Sequence, residues 1–224
     1  MGKEYIKVKI EKPTTQFSKN TDVLKTMNDD FWKDWIFYYL LLFYKDSDKV
    51  ELKQRIEKES KKSKPRIEQE ITKFIRKNLN RDKNFSENFY AFGENINDEE
   101  VEGYYDITIH STHWRSKNFH FECKNLKEKS NLIKAYTNNG VYRYFNGKYA
   151  TNQNFGGMIG FVLNGNYLNI KAKLHNQLNE KFDITPEGDL IKIDNNKSNN
   201  FTFDSYHSKK NEEFVIHHLL FDFL

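Results

Sequence analysis

Tyr104-Tyr105-Asp106-Ile107-Thr108-Ile109-His110, followed after a short polar stretch by Phe119-His120-Phe121-Glu122-Cys123-Lys124, decides how the rest of the chain is read. Both pieces alternate as strands do, because successive side chains of an extended backbone point to opposite faces. One face then carries Asp106, Thr108 and His110 on the first strand and His120, Glu122 and Lys124 on the second. The other carries Tyr105, Ile107, Ile109, Phe119, Phe121 and Cys123, the composition of a buried side. Two carboxylates and a lysine are thus aligned on the face that has no need to be apolar.

Outward from this pair, residues 1–28 hold one strand-like run at 5–10, ended by Pro13. Residues 31–44, preceded by Asp29 and Asp30, form a helix whose apolar residues cover nearly its whole circumference, so it must be buried on most sides. Residues 49–63 read as a charged helix, broken at Lys61-Lys62-Ser63-Lys64-Pro65. The next helix, 66–79, has a single apolar stripe of Ile67, Ile71, Phe74, Ile75 and Leu79. A strand at 89–92 and an acidic turn at Asp98, Glu99, Glu100 and Glu102 lead into the opening pair. Beyond it come a helix at 128–145 weakened by Asn138-Asn139-Gly140, a buried strand at 156–163 closed by Asn164-Gly165-Asn166, and a helix at 167–182. Strand-like pieces at 190–193, 201–203 and 213–223 complete the chain.

The expected fold class is α/β (α+β): a mixed central sheet flanked by helices in the order α-β-β-β-α-β-α, with N-terminal helices and C-terminal β additions. Residues 1–64 form a helical extension packed on a core of 65–185, and 186–224 a β extension, together one compact domain of 224 residues. The composition, 37% apolar and 16% aromatic against 30% charged, excludes a disordered chain. A single cysteine excludes an intramolecular disulfide and a cysteine-based zinc site, and Cys123 falls on the apolar side as a packing residue. A cytoplasmic protein without membrane association is expected. Residues 1–11 lack a secretory apolar region, and the most apolar run, 35–44, is well short of the roughly 20 residues that cross a bilayer.

An Asp on one strand and Glu-x-Lys on the next resembles the core of the PD-(D/E)XK nuclease superfamily, the restriction-endonuclease-like fold, and the element order over residues 66–182 is also that family's order. The resemblance implies a metal-dependent endonuclease that hydrolyses DNA phosphodiester bonds. Mg2+ or Mn2+ would be held by Asp106, Glu122 and the main-chain oxygen of Cys123, with Lys124 beside the attacking water. An acid from the preceding helix completes the set, and Glu68 matches the family arrangement better than Glu70 does. Tyr105 stands where the family usually has proline. Restriction or phage defence is the setting by analogy. The residue types suit the chemistry: hard divalent cations take carboxylate oxygens, and a lysine orients water and offsets charge in the transition state.

Glu-x-Lys alone carries little weight, for it recurs at Glu51 to Lys53 and Glu59 to Lys61, in a helical stretch with no Asp-bearing strand before it. Charge distribution adds more. Residues 51–84 hold twelve Lys or Arg against six acids, residues 115–148 eight against two, and residues 85–106 seven acids and no base. An acidic strip between basic segments suits phosphates approaching a carboxylate site. Lys127, Lys129, Lys134, Arg143 and Lys148, interleaved with Tyr136, Tyr142 and Tyr144, are the expected nucleic-acid contacts. DNA is favoured and RNA stays open, and a homodimer or larger defence complex would serve double-strand cutting. His110, His113 and His120 offer ligand or proton-transfer groups near the carboxylates, or plain polar-face residues, and His217-His218 reads as structural. Two other classes compete: a non-catalytic nucleic-acid-binding or assembly subunit, and an interaction module using helix 31–44 as its partner surface. In the plainest reading Asp106, Glu122 and Lys124 are only the solvated face of a hairpin.

Overall fold

A computed structural model describes residues 10–18, 21–93, 106–113, 118–146, 154–182, 188–195 and 201–223. The strand expected at 5–10 (apart from Ile10), the acidic turn at 98–102, Tyr104, Tyr105 and Lys148 lie outside the described residues. The first described helices are α1 (Thr21–Lys25) and α2 (Asp29–Asp46), the start of α2 being fixed by the Asn28 side chain accepting from the Phe31 N–H at 3.1 Å. Asp48 caps α3 (Lys49–Ser60) in the same way, accepting from the N–H groups of Val50 and Glu51. After Pro65 come α4 (Ile67–Arg81), α5 (Lys83–Ser86) and β1 (Phe89–Phe92). Then follow β2 (Ile107–Ser111), β3 (Asn118–Lys127), α6 (Ser130–Asn139) and a 3-10 turn, Val141–Tyr144. The chain ends with β4 (Phe155–Asn164), α7 (Tyr167–Phe182), β5 (Asp189–Asn195), β6 (Thr202–Lys209) and β7 (Glu212–Asp222).

The seven strands among the described residues join one mixed sheet in the order β1-β2-β3-β4-β7-β6-β5. The three central strands, β3, β4 and β7, run parallel, and every other pairing is antiparallel. The C-terminal strands extend this sheet beyond β4: β7 is hydrogen-bonded to β4 from Val215 opposite Phe155 to Asp222 opposite Val162, and β6 and β5 follow outward to the edge. The 128–145 helix divides at Gly140, where the sequence weakened it. The five-residue α1 and four-residue α5 escape sequence reading because they are too short to display a helical period.

Helices cover both faces of the sheet. On one, α2 lays Phe37 against Phe121 and His217 and stacks Tyr44 on Phe221 at 4.6 Å. Trp32, Ile36 and Leu40 of α2 are fully buried, as the apolar pattern around this helix requires. On the other face, Tyr136 of α6, Tyr144 of the 3-10 turn and Phe182 of α7 meet His218, Phe214 and His207. Burial on both sides explains why β4 reads as a continuous apolar run, as strands in parallel sheets do. At the outer edge, α4 packs on α2 through Phe74 and Phe43, and its Asn80 side chain bonds both the N–H and the carbonyl of Ala91 in β1, at 2.8 and 2.7 Å.

Candidate functional site

The described register of β2 with β3 reaches Ile107 opposite Phe121 and goes no further, whereas β3 continues beside β4 to Lys127. Past Phe121, the N–H groups on the β2 side of β3 need other acceptors, since an unpaired buried N–H is costly. Carboxylates supply them. The Cys123 N–H donates to Asp106 Oδ2 at 2.7 Å, and the Asn125 N–H to Glu68 Oε2 at 3.0 Å. Asp106 stands just before β2, with its main-chain oxygen accepting from the Arg76 guanidinium at 2.6 Å. Glu68 comes from the first turn of α4. Glu70, its alternative, faces away and pairs with Arg55 at 2.9 Å.

Lys124 sits in the middle of these oxygens. Its ammonium is 2.7 Å from Glu122 Oε1, 2.8 Å from the Cys123 carbonyl oxygen, 3.3 Å from Glu68 Oε1 and 3.9 Å from Asp106 Oδ2. The four residues named from sequence, Asp106, Glu122, Lys124 and Glu68, thus converge at one place. The expectation of a solvated face is corrected: the Glu122 side chain is 1% exposed and that of Lys124 15%. The 3-10 turn and α6 cover this face, and covering it takes the carboxylate out of water.

A fifth residue completes the arrangement. Arg143, expected only as a phosphate contact, donates from its guanidinium to Glu122 Oε1 at 2.8 Å. Gly140 lets the chain turn sharply enough to bring it there, because a Cβ at that position would lie 2.4 Å from the Tyr136 carbonyl and 2.5 Å from the Met158 methyl. Tyr144 pins the turn to the sheet: its hydroxyl donates to the Gly157 carbonyl at 2.8 Å, and its ring occupies the space a Cβ on Gly156 would need. The Asn-Asn-Gly break followed by Tyr-Arg-Tyr was the available signal.

Asp106, Glu122 and Glu68 are gathered here with Lys124 and Arg143, and the Arg76 guanidinium stands on the Asp106 main-chain oxygen. Burial, then the charge of Glu122, pushes Asp106 up to about 7. For Lys124 burial acts in the opposite direction to its neighbours, but Glu122, Glu68 and Asp106 together outweigh it and hold the ammonium above its ordinary value. Lys124 is therefore a cationic donor, not a base. Asp106, Glu122 and the Cys123 carbonyl offer oxygen donors, two of them carboxylates, the type a hard divalent cation takes. Among the described residues no three His, Cys, Asp or Glu side chains are grouped as a ready-made metal cage. The set closes only when the Cys123 carbonyl is counted, and around the Lys124 ammonium.

The remaining expected residues lie outside this cluster. Lys129 and Lys134 are exposed at the start and on the surface of α6, and Lys127 is half-buried at the end of β3. His120 shares a 3.1 Å hydrogen bond with Thr108, and burial lowers it to about 4, so it is neutral near pH 7. His110 lies among the rings of Tyr90 and Phe92, and His113 bonds Asn88. No described helix is long and apolar enough to cross a membrane. Comparison with family models, curated proteins and solved structures finds no match.

Proposed function

We propose that this chain is a PD-(D/E)XK-type, metal-dependent endonuclease acting on DNA in the cytoplasm, with restriction or phage defence as its setting by analogy. The observation that carries the reading is the convergence of Asp106, Glu122, the Cys123 carbonyl and Glu68 around the Lys124 ammonium, where β2 and β3 part. Asp106, Glu122 and the Cys123 carbonyl would hold Mg2+ or Mn2+. That cation, when bound, neutralises charge on the phosphoryl oxygens and makes a bound water more acidic. Lys124, protonated, donates a hydrogen bond to the attacking water or to a phosphoryl oxygen, and Glu68 keeps its ammonium aimed at that place. Glu68 also spends its second oxygen on the Asn125 N–H, which fixes it to the strand. In the overall reaction a water oxygen bonds to phosphorus as one ester P–O bond breaks, leaving a phosphate monoester and a hydroxyl.

A second reading, a non-catalytic nucleic-acid-binding subunit, is favoured by one observation: the lysine ammonium already occupies the centre of the oxygen set. One experiment separates the two. Plasmid, single-stranded DNA and RNA are incubated with Mg2+, Mn2+ or EDTA, beside Asp106→Ala and Lys124→Ala. Metal-dependent cleavage that both substitutions abolish is expected; cleavage surviving in either removes the proposed site. Binding that weakens with salt, without cleavage of any substrate, establishes the second reading.

A further inference from the structure

Resting on the nuclease reading, we propose that Arg143 is a metal-gated phosphate contact. In the metal-free chain its guanidinium is held by the Glu122 carboxylate, and it is released to a substrate phosphate only when Glu122 is committed to a divalent cation.

The geometry that carries this is a crowded oxygen. Glu122 Oε1 takes Lys124 at 2.7 Å and Arg143 at 2.8 Å, on a side chain with 1% exposure. Both lone pairs of that oxygen are taken, so it can be given to a metal only if one of the two cations withdraws. Lys124 is the inner of the two, at 15% exposure, and keeps Glu68 at 3.3 Å when Asp106 and the Cys123 carbonyl turn to the metal. Arg143 is the outer, at 35% exposure, entering from the surface. Its planar fork of donors matches a phosphate better than an ammonium does, and charge-assisted bonds of this type are strong. The backbone beneath it stays fixed, because Tyr144 is bonded to the Gly157 carbonyl and the turn is closed at Gly140. Only the side chain has to move.

The consequence is thermodynamic coupling. A cation on Glu122 frees Arg143 for phosphate, and phosphate on Arg143 frees Glu122 for the cation, so each favours the other by the same factor. An ordinary phosphate contact would work with or without metal. A supporting ion pair, by contrast, would strengthen the metal site and leave nucleic-acid affinity alone.

The test measures binding rather than cleavage, with Arg143→Gln beside wild type and Arg143→Lys. Duplex DNA affinity is measured in Ca2+, which takes the same oxygen ligands, and in EDTA, across a salt series. Mn2+ affinity without DNA is measured by calorimetry. The expected result is an about tenfold loss for Arg143→Gln in Ca2+, a salt slope lower by about one, and a change below about twofold in EDTA. Arg143→Lys, which keeps the charge, recovers part of the loss. Arg143→Gln should also bind Mn2+ more tightly than wild type, because one competitor for Glu122 is gone. Equal losses in Ca2+ and EDTA, no loss in either, or weaker Mn2+ binding each overturns the proposal. Wild type that binds neither Ca2+ nor Mn2+ overturns the nuclease reading beneath it, a failure visible before any variant is compared.

Discussion

Around Glu122 carboxylates and cations are gathered inside the fold, whereas around His218, with β4 lying between, neutral groups pass hydrogen bonds along a single line. The line runs from Tyr136 Oη to His218 Nδ1 at 2.9 Å, from His218 Nε2 to Ser205 Oγ at 2.8 Å, and from Ser205 Oγ to His207 Nε2 at 2.9 Å. It ends with His207 Nδ1 and the Gly188 carbonyl at 3.1 Å. The terminal carbonyl can only accept, so one proton arrangement satisfies every member: each group between the ends accepts once and donates once, in the direction of Gly188. Burial keeps His218 well below its ordinary value and lowers His207 to about 4, which preserves the neutral forms this arrangement needs. Both clusters bury polar atoms on the same face of the sheet. One is neutral and runs in a single direction; the other is charged, and burial together with Glu122 raises the Asp106 carboxyl within it.

The contrast can be broken most severely by Lys124→Ala. Under the proposed function, cleavage in Mg2+ should fall by about a hundred- to a thousandfold, the loss expected for an electrostatic group at a reacting centre, and initial rates on plasmid would record it. A polar swap in the neutral line, Ser205→Ala, should lower the urea midpoint and leave the cleavage rate of the folded protein unchanged. If both substitutions reduced turnover equally, the two clusters would not differ in role.

Acidity separates the clusters in opposite directions. Asp106 is raised from 3.8 to about 7, so its contribution to stability is fully present below pH 4 and is lost as the pH rises through 7. In EDTA, Asp106→Asn should therefore be more stable than wild type at pH 8, by up to about 4 kcal/mol, with the advantage vanishing near pH 4. For His207 the sign reverses. Its value falls from 6.5 to about 4, so stability present above pH 6.5 is lost as the pH drops toward 4, by up to about 3 kcal/mol. Urea titrations between pH 4 and 8 check both, and a wild-type curve flat in each limb would remove the distinction. The smallest effect belongs to the surface: Lys129→Ala and Lys134→Ala should each lower the salt slope of DNA binding by about one while leaving metal affinity alone.

The carboxylate cluster was more legible in the sequence than the neutral line. Asp106, Glu122 and Lys124 declare themselves by alternation within two short strands, and Glu68 by its place in the first turn of an amphipathic helix. Such signals are local. The β1 strand and α7 fall at the residues their patterns indicate, and the helix break was visible at Gly140. Arg143 escaped as a partner of Glu122 because that contact, across 21 residues, depends on how a 3-10 turn settles on the sheet. The line through Tyr136, Ser205, His207 and His218 escaped because it depends on strand order: nothing periodic in 212–222 says that β7 lies parallel to β4. The burial of Glu122 was likewise invisible, since it comes from the covering turn and not from its own strand.

Asn80 has a consequence for assembly. By bonding the outward N–H and carbonyl of Ala91, it fills the hydrogen-bonding positions that an incoming strand would need at the middle of β1. A second copy could not extend the sheet there without first displacing that side chain. On the nuclease reading, two chains that cut both DNA strands together would have to meet away from the middle of β1, through side-chain surfaces or at the opposite rim, β5, and the spacing of their cleavage points would follow from that contact.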